Sequence, residues 1–103
     1  MTIEDRVQIA ELLSEYGAML TLKQRETATM YCLYDLSLQE IADEVGTTRQ
    51  AVRDIVVRVV ATLEEYEQKL GNVRLKSALL DALKDTDADP LARCTRAIAL
   101  LED

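Results

Sequence analysis

Histidine is absent from this 103-residue chain, proline occurs once, glycine three times and cysteine twice. Each scarcity removes a class of function. Without an imidazole, neither Cys32 nor Cys94 has a His partner for nucleophilic chemistry or for a mixed zinc site. The two also stand too far apart to form a Cys-x-x-Cys pair. Both are read as small apolar side chains kept reduced in a cytoplasmic protein, with a disulfide as the alternative. With 49% hydrophobic residues, so few glycines and prolines indicate packed helices rather than disorder. No alternating β-branched run calls for a sheet. No apolar run reaches the roughly 18 residues of a membrane span, and the N-terminus opens on an acidic segment instead of a basic leader. Neither membrane insertion nor a cofactor is expected. No Gly-rich phosphate loop and no metal-ligand cluster is present either, so the chain is not expected to be an enzyme.

Positive charge is also in short supply. Twelve Lys and Arg face 19 Asp and Glu, a net charge of −7, whereas a free-standing nucleic-acid binder usually carries a basic footprint. The excess acid is unevenly spread. Between residues 21 and 60, Lys23, Arg25, Arg49, Arg53 and Arg58 nearly balance Glu26, Asp35, Glu40, Asp43, Glu44 and Asp54. Any affinity for phosphate should therefore be weak and strongly dependent on salt.

The stretch from Ser37 to Ile55, SLQEIADEVGTTRQAVRDI, organises the rest. Counted from Leu38, it places Ile41 fourth, Ala42 fifth, Val45 eighth, Gly46 ninth, Val52 fifteenth and Ile55 eighteenth. This is helix-turn-helix spacing. Two short helices that cross steeply need a small fifth residue, a ninth that turns without a Cβ penalty, and apolar places sharing one core. Ser37 followed by Glu40 is a capping box for the first helix, and Thr48 can cap the second.

The remaining segments read as helices as well. Thr2 and Asp5 open a first helix with Val7, Ile9, Ala10, Leu13 and Tyr16 or Gly17 on its apolar face, and Gly17 near its end. Thr21 and Gln24 cap the next, in which Leu22, Met30, Leu33 and Cys32 pack inward while Lys23 and Arg25 emerge near the N-terminus. The second helix of the motif runs from about Arg49 to Leu70, with Arg49, Gln50 and Arg53 exposed on its first turns. Beyond them Val52, Ile55, Val56, Val59, Val60 and Leu63 form a stripe, with Val57 beside it, wider than a small head needs. Gly71-Asn72 reads as a stop. A following helix carries Leu75, Leu79 and Leu83. After the polar KDTDAD, Asp89-Pro90 starts a last helix with Leu91, Cys94 or Thr95, Ile98 and Leu101 on its face. Asp85, Asp87 and Asp89 resemble half of a calcium loop, but Pro90 and Arg96 stand where that loop needs Gly and a bidentate acid. No metal is expected there.

The segment LTLKQRETATMYCLYDLSLQEIADEVGTTRQAV, Leu20 to Val52, resembles region 4 of sigma-70-type factors. Its continuation, RQAVRD with LEEYEQKL at Leu63 to Leu70, narrows the similarity to the small YlxM-like family. The resemblance implies an all-α fold: a helix-turn-helix head without a winged element, a long recognition helix, and a C-terminal helical extension. Residues 1–70 would form the head and 71–103 the extension, packed on the same domain or on a dimer mate. The family is associated with the signal recognition particle pathway because its genes neighbour that of the particle's GTPase. The similarity makes Arg49, Gln50 and Arg53 the exposed residues of the recognition helix, with Thr48 at its cap. The chain departs from the family where Leu22 replaces a usual Pro, Thr47 an apolar residue, Arg53 an aromatic and Val57 a basic residue.

Three readings stay open. In the first, Thr48, Arg49, Gln50 and Arg53 meet the major groove of DNA while Lys23, Arg25 and Arg58 meet phosphates. In the second, the chain is an accessory factor of the signal recognition particle, binding its RNA or protein. In the third, the fold is a dimerising scaffold. The surplus apolar stripe favours a homodimer through Val56, Val57, Val60 and Leu63, which would present two recognition helices as one unit.

Overall fold

The computed structural model describes residues 3–102, with side chains from Asp5 onward. The fold is all-α. Helices α1 (Ile3–Tyr16), α2 (Leu22–Cys32), α3 (Leu38–Val45), α4 (Arg49–Leu70), α5 (Asn72–Lys84) and α6 (Pro90–Glu102) follow in order, with a short 3-10 turn at Gly17–Met19. There is no strand among the described residues. The chain divides into two compact units between Lys69 and Leu70.

Local chemistry sets the helix ends. Thr21 Oγ1 accepts from the Gln24 N–H at 3.2 Å, and the Gln24 side chain accepts from the Thr21 N–H at 3.1 Å. Ser37 and Glu40 make the same reciprocal pair at 3.0 and 3.1 Å. Two orphan donors are satisfied at each start, which is why α2 and α3 begin where they do. Asp35, in the left-handed region at φ 57°, reverses the chain between them and forms an ion pair with Arg6. An Asp tolerates that backbone better than a branched residue would. The Thr2 cap expected for α1 lies outside the described residues.

In the first unit the core gathers around Ile41, Ala42, Val52 and Val56, flanked by Met30, Tyr31, Leu36, Leu38 and Val60. From α1, Ile9, Leu12, Leu13 and Tyr16 are buried. The fully buried Tyr16 donates its hydroxyl to Glu67 Oε1 at 2.6 Å and sets its ring 6.0 Å from that of Tyr66. This ties the end of α1 to the last turns of α4. Arg6 lies over the Tyr31 ring at 5.2 Å, joining α1 to α2. Cys32 is half-buried, and desolvation pushes its thiol up, the nearby Arg6 pulling only partly the other way. A neutral, packed thiol follows.

Several apolar residues expected inside lie on the surface. Leu22 is 72% exposed because it is the first residue of α2, while the inward face of that helix is Thr27 and Ala28. Leu33 is exposed as the C-cap beyond the last helical turn. Val7 is also exposed: two places from Ile9 is about 200° around a helix, and the buried register of α1 runs 9, 12, 13, 16. Val45 closes α3 on the outer side and stays exposed. The α4 stripe divides. Val52, Val56, Val59 and Leu63 are buried, Val60 is half-buried, and Val57 is 54% exposed.

In the second unit α5 and α6 pack on one another, and the residues they bury are Ala82 and Ala97. Small side chains let the two helices approach closely. The α6 face expected inside is therefore the wrong one: Leu91, Cys94, Ile98 and Leu101 are exposed, with Leu91 at 77%. Leu83 on α5 is exposed as well. The aspartates between the helices do local structural work. Asp85 accepts from Arg96 Nη2 at 3.0 Å and from the Asp87 N–H at 3.0 Å, while Asp89 caps α6 through the Ala92 N–H at 2.8 Å.

Two outcomes follow from these ends and turns. Gly46 has φ 74° and ψ 41°, and a Cβ there would meet no atom within 4 Å, so any cost of substitution is conformational. Gly46→Val should lower stability by about 1 to 3 kcal/mol and Gly46→Asn by clearly less, read by thermal melts. Hydrogen bonds from Arg96 and then Asp87 hold the Asp85 carboxyl below its ordinary 3.8. A lowered folded value means that this small stabilisation is complete above the unfolded value and is lost as pH falls through the folded one. In an NMR titration, Arg96→Ala should move the Asp85 midpoint up toward 3.8.

Candidate nucleic-acid interface

The tip of the first unit is built by the turn between α3 and α4. The Gly46 N–H and the Thr47 N–H both donate to the Ala42 carbonyl, at 2.9 and 3.0 Å, which closes α3 on its small residue and turns the chain sharply. Ala42 is fully buried at the crossing. Thr48 then starts α4: its Oγ1 accepts from the Ala51 N–H at 3.1 Å and its carbonyl from the Val52 N–H. The Thr48 hydroxyl is thus engaged as a cap. Arg49 and Gln50 occupy the first turn, where backbone N–H groups point out of the helix end and the dipole favours an anion.

The side chains of Arg49, Gln50 and Arg53 are all exposed. No ion pair engages Arg49, Arg53, Lys23, Arg25 or Arg58 among the described residues. Gln50 is less free: its Nε2 donates to Asp54 Oδ1 at 3.0 Å, one turn on. The carboxylate of Asp54 therefore shares the exposed face with Gln50, a neighbour that the i, i+4 spacing in the sequence signals and that a list of cations omits. Asp43 and Glu44, exposed at the end of α3, add acid beside the turn.

The expected phosphate contacts separate in space. Lys23 lines a groove of about 400 Å³ with Leu22, Val45, Thr47 and Ile55, beside the turn and the start of α4. Arg25 goes elsewhere, its Nε lying 3.5 Å from where a Gly17 Cβ would stand, against the end of α1. Arg58 is nine residues beyond Arg49, about half a turn around the helix, and does not share its face. Arg53 lies at the border of two surfaces. It follows Arg49 by one turn and also lines a second groove, of about 320 Å³, with Tyr31, Leu38, Val57 and Val60. Of the residues expected at a dimer interface, Leu63 is fully buried and Val56 nearly so, reaching only the floor of that groove, because they lie on the side of α4 turned to the other helices. Val57 and Val60 keep substantial accessible surface.

Among the described residues no group of His, Cys, Asp and Glu is arranged to hold a metal ion, and no helix is long and apolar enough to cross a membrane. What the tip offers is a capped helix start with guanidinium groups and amides on its outer side.

Comparison with known proteins agrees with this architecture over nearly the whole chain. A protein of Symbiobacterium thermophilum, UPF0122 protein STH1464, is 43% identical over 103 residues, covering 96% of each chain. A UPF0122 protein of Exiguobacterium sibiricum is 42% identical over 105 residues, covering 99% of this chain and 97% of its own. One from Bacillus pumilus is 39% identical over 105 residues, covering 99% and 94%. Residues 3–98 match the family described as "Putative helix-turn-helix protein, YlxM / p13 like". With its capped α3, its Gly46 turn and its long α4, the chain belongs to the YlxM / p13-like family of helix-turn-helix proteins.

Proposed function

We propose that the first unit is a nucleic-acid-binding regulatory module whose α4 start enters the major groove of duplex DNA. The observation that carries this reading is the exposed, unpaired state of Arg49 at the capped start of a helix whose supporting turn is intact. On this reading Arg49 makes the two-pronged contact that a guanidinium makes with guanine, and Gln50 does the same with adenine once it leaves Asp54. Lys23, beside Thr47, supplies a phosphate contact on the flank. Arg53 stands at the far edge and adds attraction. Arg25 and Arg58 face away from this duplex.

A second reading, an accessory factor of the signal recognition particle, draws on Asp43, Glu44 and Asp54 around the same tip. Exposed carboxylates so placed suit a basic protein surface of the particle better than a track of phosphates.

Fluorescence-anisotropy titrations against duplex DNA and against signal recognition particle RNA, at several salt concentrations, test both. With only two or three cations at the tip, the logarithm of affinity for duplex should fall with the logarithm of salt at a slope of about −2 to −3. Arg49→Ala and Lys23→Ala together should weaken binding at least about tenfold, while circular dichroism and melting temperature stay unchanged, since exposed helix positions contribute little to stability. Binding to duplex that survives this double variant would overturn the site. Salt-sensitive binding to the RNA alone would move the reading to the particle.

A further inference from the structure

Along the exposed side of α4, Arg53, Val57, Val60 and Glu64 follow one another at spacings of four, three and four residues. That spacing holds them within about 60° of one another around the helix, a single stripe beside the buried Val56, Val59 and Leu63. Ala61 adjoins the stripe and is also exposed. Its centre is apolar: Val57 is on the surface and Val60 half-covered, and Tyr31 and Leu38 continue the patch as the wall of the groove. Its two ends carry opposite charge. Arg53 and Glu64 lie about 16 Å apart along the axis, too far to pair within one chain. Neither has an ion-pair partner among the described residues.

We infer that this stripe is a homodimer surface on which two α4 helices pack antiparallel, Arg53 of each protomer pairing with Glu64 of the partner subunit. The inference goes beyond the nucleic-acid reading and does not depend on it.

The pattern is self-complementary in one way only. A two-fold axis crossing α4 midway between Val57 and Val60 sets each valine of one chain against the other valine of its mate, and each Arg53 against the opposite chain's Glu64. Both unpaired charges at both ends are satisfied by one operation, which is what an isologous interface requires. A parallel pair would put Arg against Arg and Glu against Glu. A polyanion is excluded from the Glu64 end, and a partner with a single sign of charge would leave one end repelled. Ala61 permits close approach of the two axes, as small residues do at helix crossings. One stripe with its adjoining groove is a modest area, so the dimer belongs at the weak end of specific interfaces and forms in the micromolar range.

Sedimentation equilibrium on the full chain, from low micromolar to the hundred-micromolar range and without nucleic acid, tests it. The wild type should reach twice its 11.6 kDa mass as concentration rises. Arg53→Glu and Glu64→Arg each replace two attractive pairs with two repulsive ones and should raise the dimer dissociation constant at least about tenfold. The double variant carrying both should return to within about threefold of the wild type. Both side chains are exposed, so circular dichroism should show all three variants folded, and Val57→Asp, also at an exposed position, gives an independent disruption. A wild-type chain that stays monomeric throughout would overturn the inference, as would a dimer whose mass neither reversal shifts. A dimer abolished by Leu91→Asp but not by the reversals would place the contact on α6 and overturn it equally.

Discussion

The close crossing of α3 and α4 is the constraint from which the first unit takes its shape. Gly46 leaves α3 in a left-handed conformation, and its N–H and that of Thr47 return to the same Ala42 carbonyl. A side chain larger than a methyl at position 42 would push the helices apart where there is no free space, since Ala42 is fully buried. The direction in which α4 leaves this turn then decides the placements along it within the first unit. It turns Val52, Val56, Val59 and Leu63 inward, presents Arg49 and Gln50 at the tip, and carries Tyr66 and Glu67 back to Tyr16 at the end of α1. The Tyr16 hydroxyl bond closes the path that begins at Gly46. A change in the turn would therefore be felt toward the other end of α4, about five helical turns away.

What was legible in the sequence is what local chemistry decides. The reciprocal caps at Thr21 and Ser37, the Thr48 cap, the Gly46 turn, and the span of α4 from Arg49 to the stop before Asn72 all depend on residues within a few places of one another. The all-α class follows from the same signals. Faces were less legible, because periodicity gives the direction of an apolar stripe but not how much of its width neighbouring helices cover. Val56 and Val57 look alike in sequence, yet 100° around the helix separates the core from solvent. On α6 the larger residues suggested one face and the alanine face was used instead. Packing through Ala82 and Ala97 brings backbones together, an option that a count of bulky side chains does not reveal.

The candidate site was legible as a location and not as a set of contacts. Its helix start and its exposed arginines were readable, since both follow from the motif. That the capping hydroxyl of Thr48 and the amide of Gln50 are taken up by Ala51 and Asp54 depends on rotamers that spacing only permits, and that Arg25 lies beside Gly17 depends on how the chain folds back between α1 and α2. Arg58 illustrates a different limit. It belongs to the same helix as Arg49 and contributes to the same local charge balance, but half a turn of rotation removes it from the face that Arg49 presents.

The net charge of −7 bears on this site less than its size suggests. At physiological ionic strength exposed charges more than about 8 Å apart are largely screened, so an approaching phosphate senses the tip and not the whole chain. Near the tip, Arg49, Arg53 and Lys23 stand against Glu26, Asp43, Glu44 and Asp54, and Asp54 is already partly occupied by Gln50. The local balance is close to neutral, which leaves long-range steering weak and puts the burden of any recognition on short, directed hydrogen bonds from the first turn of α4. Under those conditions the identity of the ligand depends on geometry. On the proposed reading, a rigid guanidinium at a capped helix start would select planar acceptors at fixed spacing, and a surface of nearly balanced charge would weaken the nonspecific polyanion binding that a basic head shows.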